Sequence, residues 1–256
     1  MTNTPPASAT PPAAPQSYAK VQTASGARGK PSVGVRVVDI AALRSDGSIV
    51  IGQRKVPTMP QFDMAFSAFA HGTLLQTTSG LIAVEDLQPG DDLMTAEGKA
   101  SKVTWIGSAT FAPSDGGHRT PLTRIMADSF GVNRPDSFLS LGPAARLLQT
   151  PPHLRGDGAE KRVLTPARAF VEGVNVIEVS PPTPIRMFHL SLQSHAAVIA
   201  GGLEIETYHP GPNALRSLSH TLRDVYLSLF PHVSHVNEFG PMRYARATDE
   251  FDLTAA

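Results

Sequence analysis

Apolar residues along this chain come in short, β-branched runs separated by turn residues, a pattern that predicts strands rather than helices. Val33-Gly34-Val35-Arg36-Val37-Val38 and Ser48-Ile49-Val50-Ile51-Gly52 flank the turn signal Ser45-Asp46-Gly47, which predicts a hairpin-like pair. From residue 66 onward the alternation of strand and turn quickens. Thr73–Thr77 leads through Thr78-Ser79-Gly80 into Leu81–Val84, Pro89-Gly90 into Asp92–Thr95, and Glu97-Gly98 into Lys102–Ile106. Further strands are expected at Asp136–Leu141, Ala145–Gln149, Val174–Val179, Met187–Leu192 and Ala196–Ala200. Turns this frequent mark an all-β domain built of hairpins.

The two ends differ. Residues 1–31 are rich in Pro, Ala and Ser, hold few large apolar side chains, and are expected to be a disordered tail. Near the other end Leu215, Leu218, Leu222, Val225, Tyr226 and Leu229 recur at helical spacing. Asn213, after Pro212, is the expected N-cap and Pro231 the stop, with the apolar stripe packed on the β domain. The expected organisation is a tail at 1–31, a β-rich preface at 32–65, the main domain at 66–209, and a C-terminal amphipathic helix and tail at 210–256. Residues 151–160 (PPHLRGDGAE) and Asp115-Gly116-Gly117 read as a loop and a turn.

Composition narrows the chemistry. Twenty-two basic residues balance 22 acidic ones, so no net field recruits nucleic acid or an anionic membrane surface. The chain has no cysteine, which excludes a disulfide framework, a thiolate metal site and a cysteine nucleophile. No apolar run reaches membrane-spanning length, and residues 1–16 lack the basic start and apolar centre of a signal peptide. A cytoplasmic location is therefore expected, with leaderless export as the alternative. Phosphate-loop, dinucleotide-binding and nucleophile-elbow motifs are absent from the sequence.

The stretch from Ala68 to Asp91, AFAHGTLLQTTSGLIAVEDLQPGD, resembles the opening of a bacterial Hint domain, the self-cleaving module of hedgehog proteins and inteins. That opening reads Cys-Phe-x-x-Gly-Thr, a strand, a turn glycine, then Val-Glu-Asp-Leu and Gly-Asp. Val103-Thr104-Trp105-Ile106-Gly107, Leu164–Phe170, Phe188-His189-Leu190-Ser191-Leu192, His195 and Ala200–Tyr208 follow in the family's order. The resemblance implies a horseshoe of short strands in two pseudo-symmetric halves. It also implies a chemistry in which a Cys or Ser at the first position attacks the carbonyl just before it. A histidine then protonates the leaving amine while polar groups hold the oxyanion.

Two positions depart from that chemistry. Ala68 stands where the resemblance puts the nucleophile, and a methyl group attacks nothing. In Ser140-Leu141-Gly142-Pro143-Ala144-Ala145-Arg146 the family's Ser-Pro-x-His falls on Gly142 and Ala145. The expectation is a non-catalytic Hint-like domain, a structural or protein/peptide-interaction module that has lost self-cleavage. Its vestigial cleft, with Ser67, Thr73, His189 and His195 as candidate lining, would hold an extended peptide or the chain's own upstream segment. The alternative is residual autoprocessing, with Ser67 or a water activated by His195 as the attacking group. His189 and His195 are otherwise expected to be structural, and His71, His232 and His235 to lie at the surface. His189, His195, Glu204, Glu206 and His209 share one region but lack metal-site spacing, so neither a metal nor a cofactor is expected.

Overall fold

Arg36, Val38, Ile40 and Ala42 are buried and alternate with the more exposed Val35, Val37, Asp39 and Ala41, so Val35–Leu43 (β1) is a strand with one inward face. It turns into β2 (Ile49–Pro57) with Leu43 opposite Ile49. The turn is made where predicted: Gly47 sits at φ 82°, and the Asp46 carboxylate accepts from the Ser48 amide (2.9 Å) and hydroxyl (2.6 Å). β1 runs well past the predicted Val38, because Ile40 and Ala42 keep the inward phase and a second partner strand holds the far end. The computed structural model describes Met1 and residues 34–112, 121–149 and 162–247. The expected 1–31 tail beyond Met1, the 151–160 loop and Asp115-Gly116-Gly117 lie outside the described residues.

After a single helical turn, α1 (Pro60–Asp63), come β3 (Phe69–Ala70), β4 (Leu74–Thr77), β5 (Gly80–Ala83), β6 (Asp92–Met94) and β7 (Ala100–Phe111). They are followed by β8 (Leu122–Ile125), β9 (Leu139–Leu141), β10 (Arg146–Leu148), β11 (Leu164–Pro166) and β12 (Val176–Val179). β13 (Ile185–Leu192), β14 (Ala197–Ala200) and β15 (Leu203–Glu206) complete the strands. Hydrogen bonding runs β11-β10-β15-β14-β4-β6-β7-β13-β3-β9-β8-β12, with β5 on β4, β1 on β7 and β2 on β1. The all-β reading holds, and each strand expected after residue 130 forms, most with trimmed ends. β7 is long enough to serve two neighbourhoods. Asp92–Met94 pair with its first residues, while β13 and β1 flank its later part on opposite edges.

The core follows this division. One cluster gathers Phe69, Leu75, Leu93, Leu141, Leu147, Leu190, Val198 and Ile205. A second gathers Val38, Ile40, Phe62, Phe66 and Trp105 with Tyr208, Tyr226, Leu229 and Phe230. The hairpin before the main domain and the helical segment after it therefore share one interior, with Trp105 between them. Its indole N–H donates to the Leu229 carbonyl at 2.7 Å, and its ring lies 4.7 Å from Phe230 and 5.6 Å from Tyr208. Gly107 is obligatory beside it, since a Cβ there would come within 2.4 Å of the indole.

The C-terminal helix begins later than the apolar spacing predicts. Around Asn213 the chain makes only short turns, with Arg216 bonded to Asn213 and Leu218 to Leu215. Ser219 is the N-cap, its hydroxyl accepting from the Leu222 amide (3.4 Å), and α2 spans His220–Leu227. Leu218 buries itself before the helix starts, and its carbonyl accepts from the Arg223 side chain instead of continuing a helix. The stripe packs on the β domain as expected. Among the described residues no helix is long and apolar enough to cross a membrane.

Trp105→Ala should lower unfolding stability by about 3–5 kcal/mol, because it opens a cavity and strands the Leu229 carbonyl. Urea denaturation followed by far-ultraviolet circular dichroism reads this directly; a loss under about 1 kcal/mol would contradict the shared-core description.

Candidate functional site

Between α1 and β3 the chain crosses the interior, and Ser67 and Ala68 are both fully buried there. Buried peptide groups must find partners, and these find them in main chain. The Ala68 amide donates to the Phe188 carbonyl (3.0 Å), its carbonyl accepts from Gly142 (2.8 Å), and the Ser67 carbonyl accepts from Ala144 (3.0 Å). Phe69 opposite Leu141 sets that register. The approach is so close that a Cβ on residue 142 would fall 2.1 Å from the Ser67 oxygen and 1.9 Å from the Met187 methyl carbon. Ala145 follows, 1% exposed, its amide bonded to Gly142 and its carbonyl to Ala167. The Ser67 hydroxyl is buried with no hydrogen-bond partner among the described residues.

His189 comes from β13, one residue beyond the Phe188 carbonyl that holds Ala68. Its Nδ1 lies 3.1 Å from the Met64 carbonyl, so that nitrogen carries the proton and donates. Nε2 is left as a buried acceptor without a partner among the described residues. Burial holds the ring's pKa down at about 4, against the smaller upward pulls of the Met64 carbonyl and the Glu206 charge. The ring is neutral at physiological pH. It borders a cavity of about 210 Å³ together with Met64, Ala144, Arg146 and Arg246.

His195 sits between β13 and β14 and is tied on both nitrogens. Nδ1 accepts from the Arg243 amide and Nε2 donates to Glu206, each at 3.0 Å. Glu206 is 2% exposed and is also met by Arg246 at 2.9 Å and Arg146 at 3.5 Å. Burial alone would raise its pKa; the His195 hydrogen bond and the two guanidinium charges outweigh it and bring it to about 2. The structure thus places His189, Ala144 and Arg146 around one cavity, while His195 lies outside it and is connected to Arg146 only through Glu206. Thr73 lies elsewhere: its hydroxyl closes a turn onto Ala70 (2.7 Å) beside an open groove of about 650 Å³ that also takes in the exposed His71. His235 is exposed, but His232 is not the surface residue expected. It is half-buried with its ring 6.0 Å from Phe239, and burial depresses its pKa to about 4.

Chemically, the site holds a fully satisfied peptide group, a neutral imidazole and a paired carboxylate. Glu204 pairs with Arg162 and takes no part in this cluster, and no group of three His, Asp or Glu side chains able to hold a metal occurs among the described residues. Sequence reasoning missed Arg146, Arg243 and Arg246 entirely and weighed Glu206 only as a metal ligand. On β15 the alternation Leu203-Glu204-Ile205-Glu206 points Glu206 away from the Leu203 and Ile205 face. Its burial depends on partners distant in sequence, for which no local signal exists.

Two outcomes follow from this geometry. Gly142→Ala should destabilise the protein by about 2–3 kcal/mol, because the new methyl meets a backbone carbonyl that has little room to yield; chemical denaturation reads the loss, and a neutral result would contradict the close approach. His189 binds its proton more weakly folded (about 4) than unfolded (about 6.5), so the unfolded state takes up more protons between those values. Stability should fall by up to about 3 kcal/mol as pH drops through that window, and His189→Gln should flatten the slope by about one proton. Glu206 adds a further loss only as pH falls from 4.5 toward 2. A slope unchanged by His189→Gln would overturn the assignment.

Comparison with known proteins bears on what this arrangement is. A family model described as Hint domain matches residues 67–212, more than half of the chain. The MchDnaB-1 intein is 17% identical in its crystal structure, with 55% of this chain and 100% of that one covered and a TM-score of 0.34. A bacterial intein-like domain from Clostridium thermocellum, known in solution, is 14% identical, with 56% and 99% covered and a TM-score of 0.34. No curated protein matches the chain. With the family match spanning the Ser67–Ala68 clamp, the His189 strand and the His195–Glu206 pair, this chain, which has no cysteine, belongs to the Hint domain family.

Proposed function

We propose that this protein is an uncut Hint module that serves as a structural or protein-interaction domain, its self-cleavage lost. One observation carries the reading. The Ser67–Ala68 peptide is held on both carbonyls and on the Ala68 amide by main-chain hydrogen bonds, while residues 68 and 145 contribute only methyl groups beside it. An acyl shift needs a side-chain nucleophile on the residue whose nitrogen is to leave, and a proton donor for that nitrogen. Neither role has a side chain at these positions. The clamp that would have presented a scissile amide here fixes a stable peptide and joins α1 to β3, β9 and β13.

A second reading rests on Ser67, whose buried hydroxyl has no partner among the described residues. Attack by that hydroxyl on the Phe66 carbonyl would cut one bond earlier, between Phe66 and Ser67. It is disfavoured because the hydrogen-bonded clamp is centred on the following peptide.

Intact mass separates the two. A single species at 27.1 kDa, unchanged by dithiothreitol or hydroxylamine, is expected; a fragment beginning at residue 67 or 68 would sink the uncut reading. Ala68→Cys with Ala145→His should restore thiol-induced cleavage before residue 68. A folded double variant that never cleaves would mean that these two positions are not the lost catalytic ones.

A further inference from the structure

Residues 241–247 lie beyond the family match, which ends at residue 212, yet they run across the buried Glu206 cluster and bridge to the sheet at one point. The Leu164 amide donates to the Ala245 carbonyl and the Ala247 amide to the Leu164 carbonyl, both at 2.9 Å, giving a parallel bridge on the free edge of β11. Side chains alternate as in a strand: Met242, Tyr244 and Arg246 turn inward, while Arg243 and Ala245 face solvent. Two of these inward groups, Tyr244 and Arg246, meet shaped partners. Tyr244 packs on Leu148, Leu164 and Ala197 and donates its hydroxyl to Glu97. Arg246 reaches the 2%-exposed Glu206 carboxylate at 2.9 Å and the His209 carbonyl at 2.7 Å. Arg243 adds a main-chain bond to His195 and a 2.6 Å contact to Glu97.

These are the parts of a peptide-binding site already filled by a ligand: a free strand edge for register, an apolar pocket for one aromatic ring, and two carboxylates for two arginines. We propose that this seat is a recognition site for extended segments carrying Tyr-x-Arg, preceded by a second basic residue, and that Arg243–Ala247 is its resident, exchangeable occupant. A partner's strand would pair with β11 at Leu164, place its tyrosine on Leu148 and Ala197, and deliver its arginine to Glu206. The partner class is set by charge: Glu97 and Glu206 select a basic strand, and Glu206 without a guanidinium in that place loses one of the charges that offset its burial. This names a partner class for the interaction module proposed above and rests on that reading; intact mass on the same samples reports separately whether the chain is uncut.

The test uses the full chain with its own strand weakened, Arg243→Ala, Tyr244→Ala and Arg246→Ala together, and a fluorescent peptide of sequence Pro241–Ala247 added in trans. Saturable binding is expected, at least about tenfold tighter than to the unaltered chain, where the tethered segment competes. A peptide carrying Arg246→Ala should bind the same variant at least about tenfold more weakly. A folded triple variant that binds the peptide no better than a scrambled sequence overturns the proposal. If the triple variant does not fold, hydrogen exchange on the unaltered chain decides. Leu164 and Ala247 amides that exchange by local opening, faster than those of β13, support an exchangeable strand, and exchange together with β13 overturns it.

Discussion

The closeness of residue 142 to the Ser67 carbonyl is the constraint around which this molecule is arranged. Two stretches of backbone from distant parts of the chain touch with no side chain between them, and a hydrogen bond on either side of the contact fixes their separation. β3 is only two residues long, yet it is held between β9 and β13 because this contact determines where it lies. A residue bearing even a methyl at 142 cannot occupy the same backbone, so the absence of a side chain there is a condition of the clamp. Geometry and composition point the same way: the peptide is gripped by main chain, and residues 68 and 145 bring only methyl groups to it.

Electrostatics sets the second level. A carboxylate as deeply buried as Glu206 is tolerated only with its charge offset, and the offsets come from three separate places in the chain: β10, the turn before β14, and the segment near residue 246. Arg146 directly follows Ala145, so the charge cluster and the peptide clamp are mechanically one piece. The neutral His189 borders the same cavity as Arg146 and Arg246, with its Nε2 an acceptor that has no partner among the described residues.

How much of this was legible in the sequence depends on distance along the chain. Asp46-Gly47 and Thr78-Ser79-Gly80 each set a hairpin through contacts a few residues apart, and both turns form where the residues predict. The order of motifs from Ala68 to Tyr208 carried the family, because such ordered spacing is rarely accidental. Thr73 was grouped with the cleft by its position in a motif, but its hydroxyl is used up by a turn three residues away. α2 starts later than the apolar spacing predicts because spacing alone does not show that Leu218 buries itself outside the helix while Ser219 caps it. Burial of Glu206 and the bridge from Arg246 to Leu164 rest on pairings between remote segments, and no local pattern reports them.

β7 adds a consequence in time. Only β6 pairs with it from nearby; β1 comes long before it and β13 long after it in the chain, and pairings of such span form slowly. The Phe188 carbonyl that closes the clamp on Ala68 belongs to that late strand. During synthesis the first half can form its hairpins while residues 67 and 68 remain unheld. The clamp on Ala68 is therefore complete only once a strand from the far end of the domain is in place, which ties this short buried stretch to the closure of the whole sheet.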